Sequence, residues 1–447
     1  MPLRKGKERK IKKIWVAMGT PFQANFFAPL IRELGKEYEF VVTARDHDRI
    51  TSILDAKKID YLTVGKHGGR SLSNKLEVYA KNIQELLPVV EKEKPDLLLT
   101  ERWPEAVRVA FGLNIPSWGI FYDEREKHVN QMVFPLVSKV FSPRFYSFQE
   151  LYHHGVMDPE KVVWFNGFHT CYLKSEKQEM ANPYTKMSLG PPVVFVRPEP
   201  ELASFFLHNQ PILENAVSSI VRSGKANVVV LPRTEEQRRS YSHMGATIMD
   251  ASASDSPVAH ADVTLGAAET MLMESLVLGK PTVSSIYWEL SKPVIELHRY
   301  IKHSTDPKTV AEYVMDYVED DEEKRAFKER AALIVRSMDD PVQLMMEEIR
   351  RLDTASEDPN VSSKRRSHLE IYLDIISAVA VRPLRLTHIM KVANVSYNEL
   401  KRIIDTLERK SLITSQNTFD GKFYQSTEDG LRMLEEYRGF KTRLFEA

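Results

Sequence analysis

Arginine, glycine and carboxylate residues recur where short apolar runs stop, and their spacing suits the binding of a phosphorylated ligand. Arg197 closes the run Val193–Val196, and Arg233 follows Val228–Leu231 after one proline. A guanidinium offers a planar fork of N–H donors that matches phosphate oxygens, so two of them at strand ends suit a diphosphate. Gly266 ends the run Val263–Leu265. From Thr270 onward Leu272, Met273, Leu276 and Val277 fall at helical spacing, until Gly279 stops the helix and Pro281 enters the next strand. Such a strand, turn and helix leaves the first helical amides unpaired and aimed beyond the strand end, where a phosphate fits. Glu274, in the first turns, places a carboxylate where it can meet a ribose or sugar hydroxyl. Any strand–turn–helix of a doubly wound sheet offers this pattern, so spacing alone leaves a purely structural role open.

Two further loops carry polar groups. Gly19-Thr20-Pro21-Phe22-Gln23-Ala24-Asn25 follows the first apolar run, and Gln23 and Asn25 either offer amides to a ligand or only cap the helix. Lys66-His67-Gly68-Gly69-Arg70 follows the third run, and its paired glycines let backbone approach a ligand closely. His67 is then a ligand contact or a surface residue, and Arg197 and Arg233 either hold phosphate or pair with Glu199 and Glu235.

The elements that position these residues alternate. From Ile14 to Gly167, strand-like runs (Ile14–Met18, Phe40–Thr43, Tyr61–Val64, Leu97–Thr100, Ser117–Phe121, Val140–Phe141, Val162–Phe165) enclose helix-like ones. A second series with the same grammar runs from Val193 to Val318. Strands separated by helices need crossover connections, hence parallel sheets covered on both faces. The fold class is therefore α/β, with two doubly wound domains over residues 14–185 and 186–352, and a ligand cleft beyond the carboxyl ends of the strands. Asp321–Arg351 reads as one or two amphipathic helices that pack back across the two domains.

Composition narrows the classes. In 447 residues Lys plus Arg and Asp plus Glu both number 62, so no whole-chain field recruits nucleic acid or membrane. The one cysteine, Cys171, excludes an internal disulfide and a cysteine-ligated zinc site, and reads as a buried small residue of a cytoplasmic protein. Residues 1–13 form a basic leader, no apolar run reaches membrane-spanning length, and no His and carboxylate cluster has metal-ligand spacing.

Residues 353–367, DTASEDPNVSSKRRS, are polar and without periodicity, which marks a linker. Residues 368–447 then read as helix, short helix, turn, longer helix, hairpin around Asp420-Gly421, and a last helix capped by Thr427: an α+β winged helix-turn-helix. In DNA binding the start of the second helix enters the major groove, so Ser396, Tyr397, Asn398, Lys401 and Arg402 face bases or phosphates. Lys422 in the wing, with Arg382 or Arg385, adds phosphate contacts. The recognition helix also carries Glu399, Asp405 and Glu408, which leaves protein contact as the competing use. The stripe Leu431, Leu434, Tyr437 and Leu444 either forms a dimer helix or packs on its own domain; regulators that read two half-sites make a homodimer an expectation.

Residues 14 to about 308 resemble the archaeal and bacterial family called domain of unknown function 354, which is similar to GT-B sugar-nucleotide enzymes and UDP-N-acetylglucosamine 2-epimerases. The pieces that carry the resemblance are TPFQANFFAPLIREL, VGKHGG, PEAVRVAFGL, FVRPEPE, VVLPR and LGAAETMLMESLVLGKP. It implies a GT-B-like module with a nucleotide sugar as ligand or substrate: Gly266, Thr270 and Glu274 at the nucleotide, Arg197 and Arg233 at the diphosphate, and Gln23, Asn25, His67 and Gly68 at the sugar or acceptor. The C-terminal part resembles archaeal ArnR-like winged helix domains, which implies a cytosolic archaeal regulator, with an active transferase or epimerase of surface-polysaccharide synthesis as the alternative. Three positions depart from the family pattern. Ala268-Glu269 stands for a usual glycine pair, Glu101-Arg102 for a His-Gly pair, and Glu124-Arg125 for a Glu-His pair, which leaves Glu124, His128 or His67 as bases.

Overall fold

The computed structural model describes residues 11–47, 49–69, 71–176, 181–201, 210–250, 256–357, 368–381, 383–393, 397–418 and 421–445. It divides into two compact units, residues 1–357 and 358–447.

The first unit holds two parallel sheets. Strands β1 (Lys13–Met18), β2 (Glu39–Asp46), β3 (Leu62–Lys66), β4 (Leu97–Thr100), β5 (Ser117–Ile120), β6 (Lys139–Pro143) and β7 (Val162–Phe165) stand in the order β3-β2-β1-β4-β5-β6-β7. Strands β8 (Val193–Arg197), β9 (Asn227–Val230), β10 (Thr247–Ile248), β11 (Val263–Gly266), β12 (Thr282–Ser284) and β13 (Lys302–His303) stand in the order β10-β9-β8-β11-β12-β13. The chain reverses direction across each sheet at β1/β4 and β8/β11, and such switch points are where α/β folds open a crevice.

Strand β1 shows why the sheets form. Ile14, Val16 and Met18 enter one apolar cluster with Phe26, Phe27 and Leu30 of the helix Pro21–Leu34. Trp15 and Ala17 enter the opposite cluster with Leu86, Val90, Trp103 and Val107. Side chains alternate across a strand, so a continuous apolar run buries both faces only when helices cover both.

The two closing helices expected from Asp321 onward divide their work. Phe327 and Ala331 of the helix Asp321–Arg336 join the core of the second sheet, whereas Val342, Met345, Met346 and Ile349 of the helix Pro341–Glu357 join the core of the first. The chain thus crosses back from the second domain to the first. This corrects the start of the linker: residues 353–357 continue the helix. Asp353 accepts hydrogen bonds from the backbone N–H of Ile11 at 3.1 Å and the hydroxyl of Tyr38 at 2.6 Å, which secures a stretch that its polarity alone made look loose. Residues 358–367 lie outside the described residues.

The second unit runs helix His368–Val381, β14 (Leu384–Arg385), helix Leu386–Ala393, helix Tyr397–Arg409, β15 (Ile413–Thr418), β16 (Gly421–Ser426) and helix Glu428–Phe445, with antiparallel order β14-β16-β15. Ile376, Ile389, Leu400, Ile404, Leu407 and Leu434 form its core. Of the stripe on the last helix, Leu434 and Tyr437 pack on this core while Leu431 is exposed, so packing on its own domain accounts for the buried part; the Leu444 side chain lies outside the described ones. Thr427 caps that helix by accepting from the Gly430 N–H at 3.1 Å. A Cβ at Gly430 would lie 2.1 Å from the Leu412 carbonyl oxygen, so only glycine fits. Among the described residues no helix is long and apolar enough to cross a membrane.

The returning helix makes a stability prediction. Ile349 is fully buried among first-domain residues, so Ile349→Ala in the full chain should cost about 2–4 kcal/mol. An unchanged denaturation midpoint would contradict this docking.

Candidate functional site

A cleft of about 560 Å³ opens at the carboxyl ends of both sheets and is lined from both domains. Its first-domain wall comes from the ends of β1 (Gly19, Thr20, Gln23), β2 (Arg45, His47), β3 (His67), β4 (Glu101, Arg102), β5 (Tyr122, Asp123, Arg125) and β7 (His169). Its second-domain wall comes from the ends of β8 (Pro200), β9 (Arg233) and β11 (Ala267 to Thr270).

Charges on this wall are paired. Glu101, 3% exposed, accepts from Gln23 Nε2 at 2.8 Å, from Arg102 Nε at 3.2 Å and from the Tyr122 hydroxyl. Burial and the neighbouring Glu101 push the Tyr122 phenol well up, so it remains a proton donor. Arg102 lies over the Tyr122 ring at 4.5 Å. Arg45 donates to both oxygens of Glu105 at 3.2 and 3.3 Å and stands over Trp103.

Arg125 spans the cleft. Its Nη1 and Nη2 donate to the two carboxylate oxygens of Glu269 in the second domain, both at 2.8 Å, and its Nε and Nη2 donate to Asp123 at 3.1 and 3.0 Å. Ser291 Oγ adds a bond to Glu269 at 3.0 Å. Burial raises the Glu269 carboxyl, and Arg125 opposes that rise. Beside this pair, Glu124 accepts from the Lys292 N–H at 2.7 Å and from the Tyr146 hydroxyl at 2.5 Å.

His169 is 2% exposed and stacks on Tyr122 with ring centres 3.9 Å apart, yet its Nε2 has no hydrogen-bond partner among the described residues. Burial, aided by Arg102, pushes its pKa down to about 3, so the ring is neutral at working pH. His47 and His67 stack at 4.2 Å, and burial followed by the His47 charge lowers His67. Asn82 holds the His67 loop by accepting from the Lys66 N–H at 2.9 Å and donating to the Lys66 carbonyl at 3.0 Å. Among the described residues no group of three or more His, Cys, Asp or Glu side chains could hold a metal ion.

Four of the residues picked out in the sequence line the cleft: Gln23, His67, Arg233 and Thr270. Five do not. Arg197 turns its Nη1 onto the carbonyls of Leu231 and Pro232 at 2.7 and 3.1 Å, tying the end of β8 to that of β9. Gly266 sits against Arg197, whose carbonyl oxygen would lie 2.4 Å from an added Cβ, so the glycine serves strand packing. Gly68 is buried, accepts from Asn74 Nδ2 at 2.7 Å, and backs onto Lys75. Asn25 lies in the helix Pro21–Leu34 away from the cleft wall. Glu274 is half-buried and accepts from the Tyr172 hydroxyl at 3.3 Å. Of the candidate bases, His67 is at the cleft, His128 is exposed off it, and Glu124 is held by Lys292 and Tyr146. Sequence reasoning passed over Arg45, Tyr122, Asp123 and His169. Tyr122 and Asp123 follow β5 after one residue, Phe121, so the strand-end rule that found Arg197 applies equally to them.

In the winged helix, Tyr397 is 54% exposed and Lys401 and Arg402 are exposed beside it. Lys422 in the wing lies over Tyr424 at 5.0 Å and 3.8 Å from Glu408; Arg385 lies over Phe423 at 5.0 Å. Ser396, Arg382 and the Asn398 side chain lie outside the described residues.

The profile of the family described as "Protein of unknown function (DUF354)" matches residues 12–353, and that of a winged helix-turn-helix family matches residues 365–444. The chain belongs to the DUF354 family. This DUF354 chain is 28% identical to an uncharacterized Methanocaldococcus jannaschii protein over 353 residues, 75% of this chain and 97% of that one. Among solved structures it is similar to the UDP-GlcNAc 2-epimerase of Neisseria meningitidis bound to UDP-GlcNAc (17% identity, TM-score 0.56, 76% of this chain and all of that one). It is also similar to the Methanocaldococcus jannaschii UDP-GlcNAc 2-epimerase in complex with UDP-GlcNAc and UDP (14% identity, TM-score 0.54, 77% and 99%). At these identities the likeness shows a GT-B-like fold.

Glu274 gives the DUF354 chain a testable pH signature. Burial pushes its carboxyl up to about 7, only partly offset by Tyr172, from an ordinary 4.5. The folded state holds this proton more tightly than the unfolded chain, so the stability it contributes is full below the ordinary value and is lost as pH rises through the folded one. Glu274→Gln should therefore raise the melting temperature at about pH 8 and leave it nearly unchanged at about pH 4.5. An increment independent of pH would contradict it.

Proposed function

We propose that the two-domain module binds a nucleotide sugar in its cleft and that the winged helix binds DNA, making the chain a DNA-binding regulator that responds to a sugar nucleotide. The supporting observation is one cleft lined by Thr270, at the opening of the helix Glu269–Val277, with Arg233 on one wall and Gln23, His67 and His169 on the other. Thr270 and Arg233 then meet the nucleotide and its phosphates, while Gln23 and His67 meet the sugar. Arg197, Gly266 and Gly68 shape the backbone around it. The bound ligand of the Neisseria neighbour, UDP-GlcNAc, supports the ligand class.

Binding is favoured over turnover by the pairing of the wall. Asp123 accepts from Arg125, which holds its carboxyl below the ordinary range against its burial, and a carboxylate held in this way is a weak general base; the oxygens of Glu101 and Glu269 are already engaged by arginine donors. An active glycosyltransferase or epimerase is the competing reading, and consumption of a UDP-sugar by the purified chain would establish it.

A ligand that binds only the folded state raises stability by about 2.7 kcal/mol at a hundred times its dissociation constant. UDP-GlcNAc or a related UDP- or GDP-sugar at millimolar concentration should raise the melting temperature of the full chain. Unchanged melting with all of them would overturn the ligand class. In the winged helix, Lys401→Ala and Arg402→Ala should each weaken DNA binding and, if the contact is to phosphate, lower the salt slope by about one. Full affinity in the double variant would remove this helix from the DNA interface.

A further inference from the structure

We propose that Arg125 is an oxyanion subsite which the chain's own Glu269 carboxylate fills, and that a phosphate-bearing ligand binds by displacing Glu269 from it. The inference rests on the nucleotide-sugar reading for the full ligand, but not for its phosphate part.

The geometry is that of arginine holding a bidentate oxyanion: two near-parallel N–H···O bonds of 2.8 Å from Nη1 and Nη2 to the two oxygens of Glu269. Phosphate offers a guanidinium the same pair of oxygens, with more charge. Asp123 grips the other edge of the fork through Nε and Nη2. Arg125 therefore keeps its orientation when Glu269 leaves, which makes the subsite preformed. Glu269 is also the first residue of the helix Glu269–Val277, so its carboxylate stands beside the helix start. An anion there exchanges one negative group for another at both the guanidinium and the positive end of the helix.

A second feature of the same wall points to a ligand. His169 is 2% exposed, and its Nε2 lacks a partner among the described residues. Buried polar atoms are nearly always hydrogen-bonded, so an orphaned one in a cleft wall marks where a ligand group completes the site. A phosphate ester of a polyhydroxylated molecule supplies both needs, an oxyanion for Arg125 and a hydroxyl for His169.

Exchange has a conformational consequence. The Arg125–Glu269 pair ties the first domain to the second, and its release leaves Lys292, through its N–H to Glu124 and its Nζ to Glu150 at 2.5 Å, as the neighbouring tie. Ligand entry is thus coupled to loosening of one interdomain contact.

The test is calorimetric titration of full-length wild type, Glu269→Gln, Glu269→Ala, Arg125→Gln and the Glu269→Gln/Arg125→Gln pair with inorganic pyrophosphate, UDP and uridine. Removing the competing carboxylate should tighten pyrophosphate and UDP about tenfold or more and leave uridine unchanged, and the added Arg125→Gln should abolish that gain. Two glutamate variants keep the result readable if one folds poorly, and melting curves report which does. Pyrophosphate affinity that is unchanged or weaker in both glutamate variants, or no pyrophosphate binding in any variant, overturns the proposal. Tighter pyrophosphate with no binding of UDP overturns the nucleotide reading and leaves the subsite standing.

Discussion

Charges brought to the ends of parallel strands must be neutralised where little water reaches, and the cleft is built around that requirement. Leaving one member of a buried ion pair alone costs several kcal/mol, so each guanidinium on the first-domain wall has a carboxylate: Arg45 with Glu105, Arg102 with Glu101, Arg125 with Asp123 and Glu269. Three of these pairs stay within one domain. The fourth, Arg125 with Glu269, crosses the cleft, so the same electrostatic need that satisfies the wall also joins the two halves.

This arrangement accounts for positions that look damaging in isolation. Glu269 at a helix start reads as a repeller of phosphate until Arg125 is seen facing it, 144 residues away in the chain. Arg102 likewise reads as an intruder until Glu101, Tyr122 and Asn130 are seen around it. The loops that carry Arg125 and Glu269 meet in space, and neither charge is interpretable without the other.

The parallel sheets were legible because continuous apolar runs such as Ile14–Met18 and Val193–Val196 leave little choice but burial on both faces, and all seven first-domain runs became strands. Cleft residues were legible only as far as the strand-end rule reaches. Arg197 obeys that rule and still turns away, because two carbonyls of the neighbouring strand end capture its guanidinium, a competition no local pattern encodes. Asp353 was hidden for the converse reason: a polar segment looks like linker unless its partners, Tyr38 and the Ile11 amide, are known. In the winged helix the hairpin, the cap at Thr427 and the order of helices are local signals, and they match the fold.

Amide hydrogen exchange of the full chain with and without UDP-GlcNAc tests most directly whether both walls of the cleft hold one ligand. The account predicts altered exchange in residues 267–273 and, in the same experiment, in residues 122–126, because the ligand touches one wall and replaces its tie to the other. Change confined to one domain, or absent from both at a saturating concentration, would contradict a shared nucleotide-sugar site.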